Sequence, residues 1–220
     1  MAGPHPENGN GGAIAPPDPW DPLVRFSHWG IAAAVIANGL LTKPGGTLHV
    51  WIGWVAIGIL AARLVWGLVG PAEARFSAFP PDPRAAISHV LSLFRPGGPR
   101  EHPSHNPAAA MMVYALWLCL VVVIGTGLVM TDAKSPLQIS QERAAVAAGD
   151  WSVLVNDDGE SEGGGEDHDE SGELVKEVHE VAANLMLILA LVHVAGVAVE
   201  SRALRRNLVH PMLLGSGKGR

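Results

Sequence analysis

The chain is poor in the residues that usually build and coat a soluble domain. Its one cysteine, Cys119, excludes an intrachain disulfide. Charged residues make up 16% of the sequence, against about a quarter in an ordinary soluble protein, so a fully hydrated surface is excluded too. Amphipathic spacing is also scarce. The apolar residues instead gather into four runs, 28–41, 48–69, 108–130 and 174–199. The last three reach the ~20 residues that cross a hydrocarbon core. The first reaches that length only if Phe26 is counted at one end and Thr42 and Lys43 at the other, with Lys43 snorkelling to the interface. The expected fold is therefore all-α, an integral membrane four-helix bundle with helices at about 26–43, 48–69, 108–131 and 174–200. Seven tryptophans stand against one tyrosine. Trp20, Trp29, Trp51, Trp66 and Trp151 fall near the run boundaries, where indoles favour the headgroup layer.

The net charge of −6 averages over loops of opposite character. One side holds Arg25, Arg75, Arg84, Arg95, Arg100, Arg202, Arg205, Arg206, Lys218 and Arg220; the other holds Lys43, Lys134, Arg143 and Lys176. The positive-inside rule puts the first set, and with it both termini, in the cytoplasm of a bacterial inner membrane. Residues 1–19 lack a basic n-region and read as a disordered leader to a membrane domain at 20–212, with a flexible tail at 213–220. The cytoplasmic loop 71–107 is broken by prolines, among them Pro71, Pro80, Pro81, Pro83, Pro96 and Pro99, leaving room for a short helix near 84–94 with His89 on the surface. The outer loop 132–173 carries twelve acids and two bases and is expected to be solvated and mobile, with His168 given no site.

Histidine placement is the strongest functional signal. His179 and His193 are fourteen residues apart in the last run, a step of about 21 Å along a helix and only about 40° around it. His28 opens the first run and His49 the second. With alternating helix directions, His28 shares a depth with His193, and His49 with His179. Two imidazoles at each of two depths suit bis-histidine haem ligation, and the missing Cys-x-x-Cys-His sequence leaves coordination and packing to hold the cofactor. Arg63, fourteen residues after His49, lies on a similar face of the second helix, where it can meet haem propionates or snorkel. Gly39, Gly53, Gly58, Gly125, Gly127 and Gly196 permit close approach of helices or a porphyrin. His102 and His105 read as surface residues, and His5 and His210 receive no role.

The stretches around Trp20 to Trp29, His49 to Gly53, Arg63 to Gly67 and His179 to Asn207 resemble the bacterial cytochrome b561 family, which includes the b-type subunits of nickel hydrogenases. The resemblance implies two haem b groups held by His28, His49, His179 and His193, with Arg63 as the basic residue of the second helix. It also implies electron exchange between the quinone pool and a redox partner, such as a cytochrome c or a hydrogenase-like protein. A superoxide:quinone oxidoreductase on the same fold is the alternative, ranked lower because the acidic outer loop would repel an anion. A haem-free membrane anchor or transporter, its histidines binding zinc or merely packing, is the rival from another class. Lipid is the expected surroundings, no nucleic-acid partner is expected, and no motif demands a homodimer.

Overall fold

The structure is a computed structural model that describes residues 21–93, 95, 106–152, 165–205 and 207–214. The leader with His5 and Trp20, the His102 and His105 segment, and Arg100, Arg206, Lys218 and Arg220 lie outside the described residues, as does the side chain of His168.

Among the described residues the chain is all-α. Helix α1 covers Pro22–Ile36 and runs into a π turn, Ala37–Leu41; α2 is Thr47–Val69, α3 Pro83–Ser92, α4 Pro107–Met130, α5 Pro136–Ala147, α6 Gly165–Ala203 and α7 His210–Leu214. One local device starts four of them, a capping side chain followed by proline. Asp21 accepts from Leu23 N at 2.9 Å, Asp82 from Ala85 N at 2.9 Å and Asn106 from Ala109 N at 2.7 Å. At α5 a full capping box forms between Ser135 and Gln138. The cap satisfies amides that the helix leaves open, and proline at the first position has no amide to satisfy.

Helices α2, α4 and α6 are long and apolar enough to cross a membrane. Their sides expose large apolar groups such as Val55, Leu64, Leu118 and Leu191, a surface suited to lipid rather than water. Two antiparallel pairs organise the bundle: α1 packs on α2, and α4 packs extensively on α6. Between the pairs direct contact is sparse. They meet at a waist where Leu60 of α2, Cys119 and Leu120 of α4, and Ala182 and Met186 of α6 are buried together, flanked by Ile31 and Val35 of α1.

Cross-links identify the two ends. At one end Trp66 Nε1 donates to Asp21 Oδ1 (3.0 Å) and Tyr114 Oη donates to the Phe76 carbonyl (3.4 Å). Arg25 Nη2 and Trp29 Nε1 there donate to the carbonyls of Leu213 and Met212, at 2.7 and 3.1 Å. This is the α3 end. At the other, Asn38 Nδ2 donates to the His49 carbonyl (3.0 Å), and Arg143 reaches from α5 to Thr47 Oγ1 (3.2 Å) and the Gly45 carbonyl (2.7 Å).

Three features depart from the sequence reading. Helix α5 lies inside the segment expected to be a mobile loop, with Pro136 and Ile139 buried, and α6 begins at Gly165, well before the apolar run. His89 does not lie on the surface: it is 7% exposed, because α3 turns it toward α6.

Candidate functional site

The alternating directions of α1, α2 and α6 bring the four histidines into two facing pairs. His28 stands opposite His193 with ring centroids 6.2 Å apart, and His49 opposite His179 at 6.3 Å. An imidazole nitrogen lies about 1.2 Å from its ring centroid and about 2.0 Å from a first-row metal it binds, so two rings on one ion stand about 6.4 Å apart. Both pairs have that spacing. Neither is a stacked aromatic contact, since the ring planes meet at 55° and 63°. The waist residue Met186 falls midway between His179 and His193 in the sequence, so an apolar layer separates the two pairs.

Hydroxyl groups orient one pair. Thr126 Oγ1 gives its proton to the Val122 carbonyl at 2.7 Å and lies 2.9 Å from His179 Nδ1. Its lone pair is then free to accept an Nδ1–H, which would leave the Nε2 lone pair available. Thr42 does the same for His49: its Oγ1 lies 3.2 Å from Asn38 Oδ1 and 3.3 Å from His49 Nδ1. Gly127 lies beside the His179 ring, where a Cβ would meet Cε1 at 3.4 Å, an ordinary contact distance. In the other pair, His28 Nδ1 is buried with no hydrogen-bond partner among the described residues. The sequence reading missed Thr42, Thr126 and Asn38. Their signal was available: a hydroxyl in an apolar span needs an acceptor, and a nearby histidine is a common reason to keep it.

Arg63 is buried at the α3 end, 8% exposed, and does not snorkel. Its guanidinium carbon lies 5.6 Å from the Phe76 ring centre and 5.2 Å from that of Trp117, and Nη2 donates to the Ala74 carbonyl at 3.2 Å. Nη1 is buried without a hydrogen-bond partner among the described residues. A desolvated guanidinium with a spare donor suits an anionic group. Gly67 makes this arrangement possible, since a Cβ there would stand 2.0 Å from Phe76 Cζ.

The donor sets discriminate between metal centres. No cluster of three or more metal-ligating side chains exists among the described residues. Zinc asks for three or four protein ligands, whereas each pair supplies two imidazoles, which fits a cofactor that brings its own equatorial nitrogens. Gly53, one turn after His49, and Gly196, nearly one turn after His193, would each present a Cβ to nothing within 4 Å, and Gly196 lies on the exposed side of its helix. Of the other glycines singled out in the sequence, Gly58 and Gly125 are equally open, while Gly39 packs against Leu187 of α6.

The family profile for prokaryotic cytochrome b561 matches residues 19–215. The chain belongs to that family. No curated protein and no solved structure matches the chain. The cytochrome b561 family binds b-type haem and carries electrons across membranes, and this chain is a multi-pass bacterial membrane protein of that kind. The histidine pairs, the orphaned His28 and Arg63 nitrogens and the donor chemistry all fit such a haem.

Proposed function

We propose that this cytochrome b561 holds two b haems, one between His28 and His193 and one between His49 and His179, and passes single electrons across the inner membrane between quinone and a protein partner. The facing pairs, each at the ring spacing of two imidazoles on one metal, carry the reading. Haem held by two imidazoles would supply one-electron transfer rather than oxygen chemistry.

The chain's own residues do the rest. Thr126 and Thr42 would hold His179 and His49 with Nδ1 protonated, leaving Nε2 of each to bind the haem iron. Arg63 offers its free donor to a propionate of the haem at the α3 end. The waist around Leu60, Leu120 and Met186 keeps water from the path between the two sites. Four spans are needed for this geometry. The first is α1 with its π turn, whose twenty residues from Pro22 to Leu41 reach about 30 Å. The α3 end, where Arg25, Arg75, Arg84 and Arg202 gather, faces the cytoplasm.

At the α5 end, α6 presents exposed Glu173, Glu177 and Glu180 beyond and beside His179. Such a face favours a basic redox partner, a cytochrome c for example, over the superoxide anion. A second copy of the chain is a further partner to test.

Pyridine haemochrome analysis of purified protein tests the core of the reading. About two haems per chain are expected, with His49→Ala or His179→Ala removing one and sparing the other. A chain that binds no haem on reconstitution overturns it. Generating superoxide beside the oxidised protein separates the partner reading from the oxidase reading, because rapid haem reduction there would favour the latter.

A further inference from the structure

Away from the histidine pairs, the α3 end contains a polar cluster drawn from three elements. Glu200, near the end of α6, receives Asn106 Nδ2 on Oε2 and stands 3.5 Å from His89 Nε2 through Oε1. Asn106 is 8% exposed and His89 7%. The Asn106 amide is itself fixed, because its Oδ1 accepts from Ala109 N at the start of α4. Both carboxylate oxygens of Glu200 are therefore held, one by α3 and one by α4.

Mechanical attachment alone does not require a carboxylate. Apolar side chains of similar volume tie helix ends together without the desolvation cost of a charge. Position supplies another reason for it. Glu200 follows His193 by seven residues, about 20° short of two full turns and about 10.5 Å along the axis, so both lie on one face of α6. At the other end of the helix, Glu173, Glu177 and Glu180 are exposed to solvent, where water and salt weaken their effect on His179. Glu200 is withdrawn from that screening, with its side chain 15% exposed.

We infer that Glu200 sets the reduction potential of the haem ligated by His193. Its fixed negative charge favours the more positive, oxidised iron, and so lowers the midpoint of this centre. His89 and Asn106 are positioning residues that hold the charge at its distance. The inference rests on the two-haem reading above and concerns the difference between the two sites.

Optical redox titration of the full-length haem-loaded protein in nanodiscs reads both midpoints. Glu200→Gln, nearly isosteric, is expected to raise the midpoint of one haem and leave the other in place. Glu200→Gln combined with Asn106→Asp exchanges donor and acceptor, keeping the helix cap, the hydrogen bond and the charge, and is expected to restore most of the original value. The inference is overturned if neither midpoint moves, if both move together, or if the exchange fails to restore the shift. It is also overturned if the single variant loses one haem while the exchange retains it, because that outcome assigns Glu200 to packing. A wild-type chain without haem would instead defeat the two-haem reading.

Discussion

Replacing Thr126 by valine removes one hydroxyl from an otherwise apolar span and so isolates a single hydrogen bond to His179. In the wild type the 2.9 Å contact to Nδ1 accepts a proton that the Thr126 hydroxyl cannot itself supply, since its own hydrogen goes to Val122. Accepting from Nδ1–H makes the imidazole a stronger donor to metal and favours the oxidised iron. A neutral hydrogen bond of this kind is worth about 0.5–1.5 kcal/mol net. Only the difference in its strength between the two oxidation states moves a midpoint, so at 59 mV per ten-fold change for one electron its loss should raise one midpoint by at most about 20–65 mV. Valine matches threonine in shape, so haem content should stay at the wild-type level. Potentiometric titration monitored in the α band, where two haems resolve as two components, is the assay. An unchanged high-potential and low-potential pair with full haem would refute the assigned tautomer. A fall instead of a rise would mean that the hydroxyl donates to His179.

Three further substitutions probe the frame around the sites. Arg63→Gln should lower the midpoint of the haem at the α3 end by roughly tens of millivolts, because a nearby cation favours the reduced form, while the haemochrome content is unchanged; loss of haem would make Arg63 structural. Gly67→Ala should cost about 1–3 kcal/mol through overpacking, since its Cβ would stand 2.0 Å from Phe76 Cζ, and a thermal melt in detergent equal to wild type would contradict the packing described. Arg143→Ala breaks the links from α5 to Thr47 and Gly45, two exposed bonds together worth about 1 kcal/mol, so amide exchange in α5 should quicken roughly five-fold with both haem midpoints unmoved.

The histidine pairs were legible because a helix converts sequence spacing into depth and direction with little ambiguity. Fourteen residues in an apolar run fix where His179 and His193 point, and alternating helix directions fix which partner each meets. Helix α5 was legible in principle and passed over: Ser135-Pro136 with Gln138 is a capping box, but the acidic residues after it drew the whole segment into one loop. His89 was misplaced for a different reason. A ten-residue helix whose buried residue is a histidine does not announce which face it buries, and its partner, Glu200, lies more than a hundred residues away. Thr42 and Thr126 needed three dimensions too, because their value lies in the nitrogen they meet and not in their own spacing.

A single unbroken helix, α6, supplies one imidazole to each pair. Inserting or deleting one residue between His179 and His193 would turn one imidazole by about 100° relative to the other, misaiming at least one of them. Length variation within this lineage should accordingly fall in the connections, while the interval between these two positions behaves as a fixed ruler against which the remainder of the bundle is measured.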